Sequence, residues 1–192
     1  MPVKKAQQPL RVGLVSDTHD RCEPKLLELF DGLSLVLHAG DIGETALSWL
    51  RERHEVRAVK GNNDVGAWAE NLPGARVEEV GGLRVLIIHE LGTVERPTSQ
   101  VQFLLAAERP HLVLSGHSHK PLLAEREGVF YVNPGSAGPK RFSLPRVAGW
   151  LDVDDARATV KLFSLEGPKL SPFDEKTFRA PSAPAAYPRR HG

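Results

Sequence analysis

The 192-residue sequence contains a single cysteine, Cys22, so no internal disulfide can form and nothing points to an oxidising compartment. Charge of one sign is also missing. Lys and Arg total 25 against 24 Asp and Glu, a formal net charge of +1. That balance gives no reason to expect bulk electrostatic binding to nucleic acid or to anionic lipid. Long hydrophobic runs are absent as well, since none approaches the ~18 residues of a membrane span. The stretch 1–9 is charged and lacks the apolar segment of a signal peptide. A cytoplasmic, membrane-free protein is therefore expected. What is present is ordinary for a soluble domain: 41% hydrophobic and 26% charged residues, in a chain long enough to bury a full core.

Residues 1–9 read as a loose polar arm. Leu10–Ser16 is an apolar, β-branched run of strand type, and the helical spacing of Leu26, Leu27, Leu29 and Phe30 predicts a helix over Glu23–Phe30 with Pro24 in its first turn. A second strand over Leu33–Ala39, a helix over Glu44–Arg53 and a third strand over Val56–Val59 follow. This alternation argues for a largely parallel sheet with helices on its faces. Arg76–Val80 and Leu83–Ile88 around Gly81-Gly82 predict a hairpin, Thr98–Arg109 a helix closed by Pro110, and His111–Ser115 a buried strand. Leu122–Arg126, Val129–Val132, Gly149–Asp152 and Ala158–Phe163 read as an antiparallel meander forming a second sheet. From Gly167 the chain turns Pro- and Ser-rich and loses periodicity, which predicts a surface tail over 167–192.

Chemistry concentrates in five turns, each directly after a strand-like run: Asp17-Thr18-His19, Gly40-Asp41, Gly61-Asn62-Asn63-Asp64, His89, and Gly116-His117-Ser118-His119. A folded sheet brings such turns to its carboxyl edge, where open α/β sheets bind ligands. The donors are then two carboxylates, Asp17 and Asp41, the amide oxygen of Asn62, and four imidazoles, His19, His89, His117 and His119. Mixed nitrogen and oxygen donors without thiolate suit Mn, Fe, Zn, Ni or Co rather than Ca or a sulfur-bound zinc. Seven donors exceed one small ion and match two that share a carboxylate and keep positions open for water and substrate. Gly40, Gly61 and Gly116 precede donors where the chain turns sharply and must leave room. Taken singly, Asp-x-His, Gly-Asp and the Asn-Asn-Asp turn are ordinary loop chemistry; their order and spacing together carry the metal reading. His38 belongs to the second strand as a core or supporting residue. His54 and His111 sit at a helix end and a strand start, and His191 lies in the tail.

This set of motifs resembles the calcineurin-like metallophosphoesterase superfamily, in particular its small YfcE-type phosphodiesterases, from about Leu10 to Phe163. The resemblance implies an α/β fold (mixed α+β): a four-layer sandwich of two mixed β-sheets flanked by helices, with a domain over residues 10–166. It implies that Asp17, His19, Asp41 and His119 hold the first ion, that Asp41 bridges, and that Asn62, His89 and His117 complete the second. The Asn133-Pro-Gly-Ser136 turn resembles the one that shapes the family's site from behind. Two departures are visible. Asn63 stands where larger members carry a histidine that serves the leaving group, and His89 is followed by Glu90-Leu91 where many small members have Gly-His.

The expected activity is hydrolysis of phosphodiester bonds, with attack on phosphorus by a hydroxide that bridges two divalent ions, manganese foremost. Asn63 and Asp64 are the expected catalytic accessories, Asp64 as a carboxylate that orients a donor or Asn63. Without an obvious general acid, diesters with good leaving groups are preferred over alkyl monoesters. The expected partner is a small phosphodiester or nucleotide-like substrate, with no membrane, no long nucleic-acid track and room for a homodimer. Lys140 and Arg141, beside the Asn-Pro-Gly-Ser turn, are available to a phosphate. Two alternatives stand beside this reading: a scaffold using the same fold, as the retromer subunit that resembles this family does, and a nuclease or nucleotide-processing enzyme.

Overall fold

The computed structural model describes residues 10–154 and 157–179. Its elements run β1 (Leu10–Val15), α1 (Pro24–Leu29), β2 (Leu35–His38), α2 (Glu44–Arg51), β3 (Glu55–Ala58), β4 (Ala75–Val80), β5 (Leu83–Ile88), α3 (Ser99–Glu108), β6 (Leu112–Leu114), β7 (Leu122–Arg126), β8 (Val129–Asn133), β9 (Val147–Asp154), β10 (Arg157–Ser164) and β11 (Ser171–Arg179). A short 3₁₀ turn over Ala67–Asn71, which no periodicity announced, separates β3 from β4. The helices begin where local chemistry allows. Pro24 occupies the first turn of α1, and the Thr98 hydroxyl accepts the Val101 amide at the start of α3.

Two mixed sheets result. The first has the order β11-β10-β9-β1-β2-β3, and the second β4-β5-β6-β8-β7. Each carries three parallel strands, β1, β2 and β3 in the first and β5, β6 and β8 in the second, with antiparallel strands outside them. Alternate residues of the central strands meet between the sheets: Val12, Leu14 and Leu37 share one cluster with Val85, Ile87, Leu112, Leu114, Phe130 and Val132. Each such buried side chain contributes about 1.5–3 kcal/mol. The opposite faces are covered by helices. α1 sets Leu26, Leu29 and Phe30 against Val15 and Val36, and α2 sets Ala46, Leu47 and Leu50 against Val56 and Ala58. α3 places Val101 against Leu86, Ile88, Val113 and Tyr131. Strands buried on both faces read as unbroken apolar runs, as these do. The architecture is the expected four-layer sandwich, and no helix among the described residues is long and apolar enough to cross a membrane.

Two expectations need correction. The predicted meander is divided: β7 and β8 join the second sheet, whereas β9 and β10 join the first, β9 pairing antiparallel with β1. The proposed tail does not begin at 167, because β11 pairs along β10 and Phe178 stacks on Phe130 at 4.2 Å between ring centroids. Almost all of β11 is exposed, so an edge strand without apolar alternation passed for a linker. The arm over 1–9 and the remainder of the tail, 180–192 with His191, lie outside the described residues.

Candidate metal centre

The five turns lie at the carboxyl ends of the parallel strands, three from the first sheet and two from the second, so the site spans the edges of two facing sheets. Past the strand ends the ladders continue in kinked form. Asp17, His19 and Asp20 donate backbone amides to the carbonyls of Gly40, Asp41 and Ile42 at 2.9–3.0 Å, and Gly116 donates to His89 O at 3.0 Å. The kinks fall on the donors themselves. Asp17, His19, Asp41, His117 and His119 all have φ between 47° and 66°. Left-handed backbone costs a non-glycine residue about 1–2 kcal/mol, and such strain is characteristic of functional sites. It turns successive side chains toward one point.

The glycines therefore act differently from the simple expectation. Gly40 does take a positive φ of 91°. Gly61 and Gly116 do not; a Cβ at Gly61 would overlap Asp41, and one at Gly116 would overlap Ser16 and Asp17. Their missing side chains are what let the turns approach.

Two groups of donors emerge. In the first, His119 Nε2 lies 3.2 Å and His19 Nε2 3.8 Å from Asp17 Oδ1, and the two imidazole nitrogens are 3.2 Å apart. In the second, Asn62 Oδ1 is 3.0 Å from both His89 Nε2 and His117 Nδ1, with Asp41 Oδ2 3.4 Å from His89 Nε2. All seven predicted donors are thus brought together. Asp41 Oδ2 lies between the groups, 3.9 Å from His19 Nε2 on the other side. Asp17 also belongs to both, since its carboxylate lies within 4.8 Å of the Asp41 and His89 donor atoms.

The donor set fits divalent cations on its own chemistry. Asp17 Oδ2 accepts from the Ser16 hydroxyl at 2.6 Å and the His117 amide at 3.0 Å, whereas its buried Oδ1 has no hydrogen-bond partner. A buried carboxylate oxygen left bare and facing two imidazoles needs a positive charge. His89 repeats the pattern: Nδ1 donates to Ala39 O at 2.7 Å, which aims Nε2 at the oxygens of Asn62 and Asp41. Burial pushes His89 down, but its bond to Asp41, the Asp17 charge and the Ala39 carbonyl outweigh this and raise its pKa. Burial likewise pushes Asp41 up, and hydrogen bonds from His89 and from the side chain and backbone of Asn63 hold it well below the usual carboxylate range. His19 is lowered, first by burial and also by the nearby Arg141 cation.

The accessories sort themselves out. Asn63 donates its amide nitrogens to both oxygens of Asp41, at 2.7 Å from the backbone and 2.6 Å from the side chain. Asp64 hydrogen-bonds backbone amides rather than a donor side chain or the Asn63 amide. Its two oxygens accept the Gly43 and Gly61 amides at 3.0 and 2.8 Å, so it braces the turn that carries Asn62. His38 is a supporting residue as expected. It is fully buried, Nδ1 accepting from Gly40 N and Nε2 facing the Thr18 hydroxyl, and burial pushes its pKa down to about 3. Asn133 donates to Gly116 O and Ser118 Oγ, and Ser136 donates to Asp17 O, so the Asn-Pro-Gly-Ser turn does brace the site from behind. Sequence reasoning missed Asp20, whose carboxylate accepts the Thr45 and Ala46 amides and caps α2 from the opposite loop. Nothing in the sequence links residues so far apart.

Known proteins resemble this chain in sequence and in fold. Residues 10–156 match the calcineurin-like phosphoesterase superfamily domain. A probable metallophosphoesterase of Methanothermobacter thermautotrophicus is 32% identical over 142 residues, covering 71% of this chain and 82% of that one. A phosphodiesterase of Methanocaldococcus jannaschii is 24% identical over 164 residues, covering 76% and 94%. Among solved structures, the phosphoesterase YfcE of E. coli superposes with a TM-score of 0.66 at 21% identity, over 86% of this chain and 98% of that one. Vps29 of Entamoeba histolytica complexed with Zn²⁺ superposes with a TM-score of 0.69 at 20% identity, over 88% and 98%. With the family domain matched over residues 10–156 and a relative 32% identical across most of both chains, this chain belongs to the calcineurin-like phosphoesterase superfamily.

Proposed function

We propose that the protein is a phosphodiesterase that works with two divalent transition-metal ions. The observation that supports this best is the bare, buried Asp17 Oδ1 flanked by His19 and His119, beside a second cluster of Asp41, Asn62, His89 and His117. In this reading Asp17, His19, Asp41 and His119 would hold one ion and Asn62, His89 and His117 the other, with Asp41 available to both because its Oδ2 lies 3.9 Å from His19 Nε2 and 3.4 Å from His89 Nε2. Such ions supply a water that ionises near neutral pH and offset charge on the phosphoryl oxygens. Manganese suits the nitrogen and oxygen donors, with Ni, Fe, Zn and Co as competitors.

The chain's own residues set the rest. Asn63 fixes the Asp41 carboxylate and has no proton to give a leaving group. Among the described residues no imidazole beyond the proposed donors is placed to give one, which favours a leaving group that departs as a stable anion. Small phosphodiesters and nucleotide-like esters with acidic leaving groups are the substrates this favours. The near-neutral charge of the chain disfavours long nucleic acids.

Metal-stripped protein reloaded separately with Mn²⁺, Ni²⁺, Fe²⁺, Zn²⁺ and Co²⁺ tests the reading against an aryl diester and an alkyl phosphomonoester. The expected result is two ions per chain by elemental analysis and faster turnover of the diester. A metal-saturated sample inert toward both esters would favour the scaffold reading, which the likeness to Vps29 keeps in view.

A further inference from the structure

Between Ser136 and Arg146 the chain makes a loop whose base is pinned and whose tip is bare. Val147 N donates to Ser136 O at 2.9 Å, Gly138 N donates to Asp17 O at 2.9 Å, and Arg146 Nε donates to Gly138 O at 2.7 Å. The tip is a tight turn closed by Leu144 N donating to Arg141 O at 3.1 Å. Phe142 occupies this turn with φ 53° and 94% of its surface exposed, the most exposed large hydrophobic residue among those described. It joins none of the hydrophobic clusters. An aromatic ring in left-handed backbone and in water is disfavoured twice over, and neither packing nor turn chemistry accounts for it.

The residue before it faces the metal centre. Arg141 Nη2 lies 3.3 Å from His19 Nε2, and the guanidinium has no carboxylate partner among the described residues. A forked donor of fixed positive charge, held against a donor imidazole, suits an anionic oxygen arriving at that edge. The next residue along the chain, Phe142, offers an exposed, flat apolar face.

We propose that Arg141 and Phe142 form the substrate-recognition element of this site, Arg141 binding a phosphoryl oxygen and Phe142 stacking on a planar ring carried by the ester. This rests on the phosphoesterase reading above and names its substrate class: phosphoesters with an aromatic substituent, either an aryl group or a nucleobase.

Calorimetric titration of the full-length, manganese-loaded protein with matched, ring-bearing and ringless ligands tests it. Phenylphosphonate against methylphosphonate probes the aryl source, and adenosine 5′-monophosphate against ribose 5-phosphate probes the nucleobase source. In at least one pair the ring-bearing ligand should bind about tenfold more tightly, the size of one aromatic stacking contact. Phe142→Asn keeps a residue that tolerates this backbone, and it should abolish that ratio, while Phe142→Trp should retain it. Arg141→Ala should weaken all four ligands by about tenfold and leave the ratio unchanged. Equal affinities within both pairs, no measurable binding, or a ratio that survives Phe142→Asn would overturn the proposal. Because no ligand is read by turnover, a ring preference without diester hydrolysis would fail the phosphodiesterase reading alone, and hydrolysis without ring preference would fail this one alone.

Discussion

The two sheets contribute unequally to the centre. The first brings both carboxylates, Asp17 and Asp41, the amide of Asn62, and one imidazole, His19. The second brings three imidazoles, His89, His117 and His119, and no carboxylate. Burial differs too, for Asp17 and Asp41 are 0% and 2% exposed, whereas His117 is exposed. Each candidate group draws on both sheets, His119 joining Asp17 and His19 and His89 joining Asp17 and Asp41. Two buried carboxylates repel one another without a cation, and three imidazoles lack the negative charge that holds a divalent ion. The core between the sheets is accordingly part of the centre, since it sets the distance between charge and nitrogen.

Breaking the charged half should have the largest effect. Asp17→Asn or Asp41→Asn should remove bound metal and diesterase activity together, by more than the about 10–100-fold typical of residues that only support a donor. His117→Ala, at the exposed edge of the other half, should lose less of both. Elemental analysis and the diester assay decide this, and a His117→Ala loss equal to that of Asp17→Asn would erase the distinction between the sheets.

Forcing the halves apart comes next. A methyl group at Gly116, on the second sheet, would overlap Ser16 and Asp17 on the first. Gly116→Ala should therefore destabilise the fold by about 1–3 kcal/mol in denaturant unfolding. Gly74→Ala, where a Cβ meets nothing within 4 Å, should be near neutral.

An acid titration sharpens the contrast between imidazoles aimed at the centre and one buried behind it. Burial holds folded His38 at about 3, against 6.5 in the unfolded chain. Between those values the unfolded state binds the extra proton, so the contribution is complete above 6.5 and is lost as pH falls toward 3. In metal-free protein, wild type should lose about 1–2 kcal/mol more than His38→Gln between pH 7 and pH 5. Parallel stability curves for the two proteins would refute this.

The smallest effect belongs to charge outside the centre. Arg11 and Asp152 pair at 2.5 and 2.8 Å across β1 and β9, with the arginine side chain 40% exposed. Asp152→Asn should cost about 0.2–1 kcal/mol by thermal unfolding, because water screens the pair.

How much was legible in the chain follows from distance along it. The donors of each turn lie within a few residues of a strand end, so Asp17-Thr18-His19 and His117-Ser118-His119 show their geometry locally. The placement of β9 beside β1 is a different matter, since Arg11 and Asp152 lie 141 positions apart and no short-range pattern records which sheet a strand will join. β11 was invisible because an exposed edge strand has no buried face to give it apolar alternation. Asp64 was expected to orient a donor or Asn63, and only the folded chain shows that its oxygens take the Gly43 and Gly61 amides.

From its sequence alone, then, this protein had its seven donors, the strands that carry them and the preference for nitrogen and oxygen metals, because side-chain type and local hydrophobic pattern decide those. Only the tertiary structure decided that the donors divide into two clusters, that the strain falls on the donors rather than on Gly61 and Gly116, and that Arg141 lies against His19. These depend on contacts between segments far apart in the chain, which form only when the two sheets pack.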